Sequence, residues 1–124
     1  MTEKQLLDFC KDQNWSARIE RMVVNKIRTE NFICLKDIGI YNTSAYISFD
    51  IDKSTEEITI NHITFYGGIK DGSGKTYYVR LQSEKEICDF IKNSIKKYKN
   101  VLSRSAKSTI TKLQSKVERL KSFI

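Results

Sequence analysis

Several residue types are scarce in this 124-residue chain, and their scarcity excludes some functions. His62 is the single histidine, so a metal site with two histidine ligands is excluded, and acid–base chemistry would need a partner that the sequence does not identify. The three cysteines, Cys10, Cys34 and Cys88, lie too far apart in sequence for a metal knuckle or a redox couple. They predict buried thiols in a reducing compartment.

Long apolar runs are missing as well. No segment approaches the roughly 20 consecutive apolar residues that a membrane-spanning helix needs. Residues 1–12 carry acidic side chains within an amphipathic pattern, which differs from the basic and then apolar pattern of a secretory signal. We therefore expect a cytoplasmic protein with no membrane association.

The positive charge is confined to one part of the chain. Residues 84–124 carry eleven Lys and Arg against four Asp and Glu, whereas residues 1–83 carry eleven of each, so the net charge of +7 lies entirely in the C-terminal segment. This predicts a neutral body, residues 1–83, followed by a basic helical segment, residues 84–124. Such a segment attracts a polyanion or a phosphate-bearing ligand. The alternative is that its lysines only keep an exposed helix face soluble.

The neutral body has the pattern of a helix followed by antiparallel strands. Thr2 and Gln5 form a capping box, which predicts a helix over residues 3–12. Residues 17–27 suit a helix or a strand, and their clustered β-branched residues favour a strand. From Phe32 onward apolar and polar residues alternate, which predicts four or five strands with one covered face. The phase of the alternation slips at Asn61–His62, where we expect a bulge.

Ser83 and Glu86 form a second capping box, and no glycine or proline follows. Two apolar stripes are joined by the serine-rich residues 103–109, which predicts a two-segment basic helix on an α+β fold. One unbroken helix would extend about 60 Å, well beyond the body. The second stripe must therefore fold back or pair with another molecule. A parallel coiled coil would set Lys116 against Lys121, so we expect antiparallel packing within one chain or in a homodimer or larger homo-oligomer.

The segment Gly72-Ser73-Gly74-Lys75-Thr76 resembles the end of a phosphate-binding P-loop. The motif requires a glycine at position 69, where this chain has Ile69. A strand pattern also follows the segment, whereas a P-loop precedes a helix. The segment is interpreted as a hairpin loop, and the chain is not expected to be a nucleotide hydrolase.

Candidate ligand-binding residues are aromatic or cationic side chains that could stack on a base or hold a phosphate. Each has an equally good structural explanation, and Trp15 in particular suits a core. The predicted set that would converge on one pocket is Trp15, Arg18, Tyr78, Arg80, Arg104 and Lys107. No catalytic residue, metal ligand or cofactor is predicted.

A small sheet followed by helical segments over residues 84–102 and 110–124, without a catalytic constellation, resembles small phage-encoded counter-defence proteins. Among these it is similar to the Thoeris anti-defence 1 family, compact dimeric sponges that sequester a cyclic ADP-ribose signal without destroying it. The resemblance implies a non-enzymatic binder of an anionic signalling nucleotide in a host bacterial cytoplasm. The alternatives are a small basic nucleic-acid-binding protein and a protein inhibitor of a host defence nuclease, of the anti-CRISPR type.

Overall fold

The computed structural model describes residues 1–67 and 74–124 and confirms the predicted α+β fold. Two helices and five strands follow one another as α1 (Glu3–Asp12), β1 (Ser16–Val23), β2 (Thr29–Lys36), β3 (Thr43–Ile51), β4 (Ile58–Gly67), β5 (Lys75–Leu81) and α2 (Glu84–Lys121). The strands form one antiparallel sheet in the order β1-β2-β3-β4-β5. The strand β1 resolves the ambiguous residues 17–27 in favour of a strand that ends at Val23.

The start of α1 forms the predicted capping box. The Gln5 backbone N–H donates to Thr2 Oγ1 at 3.3 Å, and the Thr2 N–H donates to Gln5 Oε1 at 2.9 Å, so two otherwise unpaired donors are satisfied. The residues before the helix attach to the sheet: the Ile58 N–H donates to the Met1 carbonyl at 3.0 Å, and the Met1 amino group pairs with Glu57. These contacts fix α1 against the sheet.

Local polar chemistry shapes the sheet. The pairing register of β4 shifts at Asn61 against both of its neighbours, which confirms the predicted bulge. In the turn between β3 and β4, the Asp52 carboxylate accepts hydrogen bonds from the Ser54 N–H, the Ser54 hydroxyl and the Thr55 N–H. These hydrogen bonds lower the pKa of Asp52, since they favour its charged form.

Both helices cover the same face of the sheet. Each begins at the end of the sheet where β3 turns into β4, because Thr2 bridges to Glu57 and Leu81 pairs with Ile60. They run across the sheet together and enclose one hydrophobic core. Its largest fully buried side chains are Phe49, Phe65, Leu6, Ile33, Leu35, Ile47, Ile58, Ile60, Ile63, Ile87 and Ile91. Residues 84–102 of α2 therefore share a core with the neutral body.

The helix α2 is continuous over 38 residues, which corrects the predicted two-segment form. Serine and threonine cost little helix stability compared with glycine or proline, and the Thr111 hydroxyl donates to the Lys107 carbonyl at 3.0 Å within the helix. A fold-back at residues 103–109 is therefore excluded. The start at Glu84 agrees with prediction, but the capping box does not, since the Ser83 side chain makes no capping hydrogen bond.

The far end of β4 connects to α2 through Tyr98. The Tyr98 hydroxyl donates to the Gly67 carbonyl at 3.0 Å, and its ring stacks on Phe65 with centroids 4.6 Å apart. Gly67 has φ +92°, and an added Cβ would lie 2.1 Å from the Asn42 carbonyl oxygen, so this close approach requires glycine. Within residues 1–67 and 74–124, no helix is long and apolar enough to cross a membrane.

Candidate functional site

The face of the sheet opposite the helices is not covered by any described element, and we call it the open face. Its side chains form rows across the strands, as the register shows. One row runs Arg18, Cys34, Tyr46, Thr64 and Thr76, and the next runs Glu20, Phe32, Ser48, His62 and Tyr78.

A concavity of about 620 Å³ lies in the middle of the open face, and it is lined by Glu20, Met22, Phe32, Ser44, Tyr46, His62, Thr64 and Tyr66. Its volume falls within the range of small-molecule sites. The rings of Tyr46 and Tyr66 meet edge to face with centroids 5.6 Å apart. The ring centroid of His62 lies 5.6 Å from that of Tyr78, the residue paired with it on β5. The concavity thus offers several aromatic surfaces together with hydroxyl groups.

Cationic side chains stand at one margin of the concavity. A smaller cavity of about 110 Å³ is lined by Ser16, Arg18, Cys34 and Lys36. Arg18 pairs with Glu20 at 2.6 Å, and this carboxylate raises the pKa of Arg18. Arg18 and Lys36 therefore place two cationic side chains beside the aromatic lining.

Tyr46 connects the aromatic lining to this cationic margin. The neighbouring Cys34 side chain raises the pKa of Tyr46. The protonated phenol offers a ligand one O–H donor and one acceptor oxygen. Cys34 is itself buried and lies between Arg18 and Tyr46 in the register. The phenol therefore adds a polar group close to the cationic margin.

The structure does not bring the six predicted ligand-binding residues together. Arg18 lies on β1, and Tyr78 and Arg80 lie on β5, on the same open face but about 19 Å apart across four strand spacings. Trp15 packs on the helix-covered side against Phe9, with centroids 6.1 Å apart. The remaining two, Arg104 and Lys107, are exposed on α2.

The cations of α2 are likewise separated from the concavity. The helix packs on the covered face, whereas the concavity lies on the open face. The expectation that the basic helix and the polar sheet face form one site is therefore corrected for a single copy of the chain. The reason is that α2 uses its apolar stripe to cover the core, which fixes it on the opposite side of the sheet.

Sequence reasoning missed the residues that line the concavity. Phe32, Tyr46 and Tyr66 alternate with buried residues on the same strands, so they occupy the outward positions of an amphipathic pattern. Aromatic residues at outward positions of neighbouring strands were the signal that could have found them. His62 does lie on the open face beside the bulge, as the alternation predicted.

Two of the three thiols, Cys10 and Cys88, are in surroundings that disfavour the thiolate. Burial raises the pKa of the Cys10 thiol to about 12, and burial also raises the pKa of Cys88. Thiols with raised pKa values are poor nucleophiles at neutral pH. Across the described ranges, no group of three or more His, Cys, Asp or Glu side chains is placed to hold a metal ion.

The chain matches no protein-family model, no curated protein and no solved structure.

Proposed function

We propose that this protein is a non-catalytic binder that captures a phosphate-bearing nucleotide in the concavity of the open face. The observation that carries the proposal is an aromatic-lined concavity of nucleotide size with a smaller cationic cavity at its margin. A base has a flat π-face that stacks on aromatic rings, and a phosphate is bound by guanidinium and ammonium groups. Both requirements are met by neighbouring residues on β1, β2, β3 and β4.

In the proposed complex, the base lies on the ring of Tyr66 beside Tyr46, and the phosphates lie toward Arg18 and Lys36. The phosphate competes with Glu20 for Arg18, so binding exchanges one ion pair for another. The Tyr46 phenol lines the concavity between the base and the phosphates and donates to the ribose or to a phosphate oxygen. In this proposal the site binds and orients the ligand and leaves it intact.

The basic helix contributes at a distance. Its uncompensated charge raises the local concentration of an anion around the protein, although its side chains do not reach the concavity. The ligand class includes the cyclic ADP-ribose-like signals implied by the resemblance to phage anti-defence sponges. We propose the same setting here, the cytoplasm of a host bacterium.

A nucleic-acid strand fits the open face less well. Its cations, Arg18, Lys36 and Arg80, are balanced there by the acids Glu20, Glu30 and Asp50. A strand that crosses the sheet would meet these carboxylates, which oppose a polyanion. A small ligand meets only one part of the face.

The test is isothermal titration calorimetry with cyclic ADP-ribose, ADP-ribose, AMP and a single-stranded oligonucleotide. We expect saturable one-site binding of at least one small nucleotide, which chromatography then recovers unchanged. Tyr66→Ala should weaken binding about 10-fold, since stacking contributes about 1–3 kcal/mol per base. The control is Tyr41→Ala, a tyrosine that is 84% exposed and outside the concavity.

Two results would contradict the proposal. The first is the absence of binding by every small nucleotide. The second is binding of the oligonucleotide alone, with an affinity that falls steeply with salt and does not depend on Tyr66, because that is the behaviour of phosphate-backbone recognition.

A further inference from the structure

The last part of α2 projects beyond the body and exposes an apolar stripe. Burial along the helix ends at Leu102, with Ala106 half-buried, and the side chains that follow are exposed. Leu113 is 56% exposed, and the other members of the stripe are similar: Ile110, Val117 and Leu120. Together with Gln114 and Glu118 they line a shallow groove of about 250 Å³. An apolar stripe of this kind marks an interaction surface.

The cations of this region flank the stripe without interrupting it. Lys112, Lys116 and Arg119 are spaced four and three residues apart, so they share one side of the helix. Lys107 and Lys121 are two heptads apart and lie along the other side. The stripe therefore remains a continuous apolar seam between two basic margins.

We propose that the occupant of this seam is the same segment of a second copy of the chain, paired antiparallel. The spacing of Ile110, Leu113, Val117 and Leu120 alternates three and four residues, which is the spacing of a helix pair. In an antiparallel pair that sets Ile110 of one copy against Leu113 of the other, Val117 faces Ala106 and Leu120 faces Ser103, so the seam closes on itself with small residues at its two ends. This inference concerns a surface separate from the nucleotide site.

The area of the seam agrees with a dimer. A helix pair that overlaps from about residue 103 to 120 covers roughly 600 Å² on each copy, or about 1,200 Å² in total, the lower limit of specific interfaces. The flanking lysines can keep their ammonium groups in water while their aliphatic stems cover the edges of the seam. The surface is thus large enough for specific but reversible pairing.

Charge selects the orientation. In a parallel pair, Lys116 of each copy faces Lys121 of the other. In the antiparallel register that sets Ile110 against Leu113 of the second copy, Lys116 faces Thr109 and Lys107 faces Gln114, so no lysine faces a lysine. This register is favoured because each of these lysines faces an uncharged residue of the second copy and is not repelled by another lysine.

Sedimentation velocity of the full chain tests the pairing over a range of concentrations and at 50 and 500 mM NaCl. We expect a reversible monomer–dimer equilibrium that tightens several-fold at the higher salt, since residues 107–124 carry five cations against one acid and screening removes their repulsion. Leu113→Glu should weaken dimerisation at least 10-fold. Ser115→Glu, which adds the same charge on the opposite side of the helix, should not weaken it.

Both variants lower the net positive charge, so a loss of pairing in Leu113→Glu alone assigns the contact to the seam. Circular dichroism confirms that each variant is folded. Any of three results would overturn the proposal. The chain could be a monomer at every concentration and salt, it could form a dimer that weakens with salt, or it could form a dimer that Leu113→Glu does not affect. Nucleotide titration of the same variants keeps this result separate from the proposed function, because the concavity lies on the body.

Disulfide trapping tests the orientation. Mixing an Ile110→Cys variant with a Leu113→Cys variant should give a cross-linked pair containing one of each, because these positions face each other only when the helices are antiparallel. If Leu113→Cys instead cross-links to itself preferentially, the helices are parallel and the proposed arrangement is wrong.

Discussion

The two halves of α2 have the same apolar periodicity and opposite surroundings. In residues 84–102 the stripe is buried against the sheet, and Ile91 is 0% exposed. In residues 107–121 the stripe continues, yet Leu113 is 56% exposed. The comparison shows that apolar periodicity predicts a helix face that needs a packing partner, but does not say where that partner comes from. The sheet of the same chain can pack against the stripe only as far as the sheet extends. The helix α2 passes the end of β4 near Tyr98, so the stripe beyond that point has no sheet beneath it.

The largest expected difference between the halves is in core packing. Ile91→Ala should lower the free energy of unfolding by about 2–5 kcal/mol, because it removes a fully buried side chain and leaves a cavity. Leu113→Ala should change it by less than about 0.5 kcal/mol in dilute protein, since the side chain is half-exposed and alanine favours a helix.

Urea unfolding followed by Trp15 fluorescence at submicromolar concentration measures both variants. Similar losses for the two would mean that the far half of α2 is covered within a single copy, which would break the comparison.

The next effect concerns pH. Cys10 is buried in the core beside α2, and burial raises its pKa from the usual 9.0 to about 12. The unfolded chain ionises first as pH rises, so this contribution to stability is complete below pH 9 and is lost between about pH 9 and 12. Between pH 8 and 10 the loss is about 1 kcal/mol.

Cys10→Ala should therefore lose less stability than the wild type over that pH range, as urea unfolding at each pH would show. Tyr77 and Tyr98 also have pKa values raised by burial, and they contribute equally to both proteins. An identical alkaline loss in the two proteins would rule out the Cys10 assignment.

The smallest expected effect is at Tyr98, close to the point where the buried half of α2 gives way to the exposed half. Tyr98→Phe keeps the ring stacked on Phe65 but removes the 3.0 Å hydrogen bond to the Gly67 carbonyl, and should cost about 1 kcal/mol. Tyr41→Phe, at an exposed tyrosine, should cost close to nothing. Thermal unfolding of both variants makes the comparison, and equal melting temperatures would show that the contact does not hold α2 at the end of the sheet.

Much of the fold was predictable, because its signals are local. The capping box of Thr2 and Gln5 gave the start of α1, and the slip in alternation gave the bulge at Asn61. The continuity of α2 was harder to predict, since a serine-rich stretch suits both a helix and a break. The glycine-rich loop, including Gly72 and Ser73 of the P-loop-like segment, lies outside the described residues, but β5 follows it as a strand.

The candidate site was predicted only in part. Tyr78 and Arg80 were predicted to share the polar sheet face and do lie there, and the register adds Arg18 to the same face. Their separation could not be known, because it depends on the strand order, which places β1 and β5 at opposite edges of the sheet. The aromatic lining of Phe32, Tyr46 and Tyr66 became visible only when the register aligned three strands side by side.

The sequence alone determined the start of both helices, the alternation of the strands from Phe32 onward and the concentration of positive charge in the last 41 residues. Those properties depend on spacing and composition along the chain. The tertiary structure decided which face stays open, how far apart the candidate residues lie and where the sheet stops covering α2. These are consequences of strand order and relative length, which arise only when distant segments pack together.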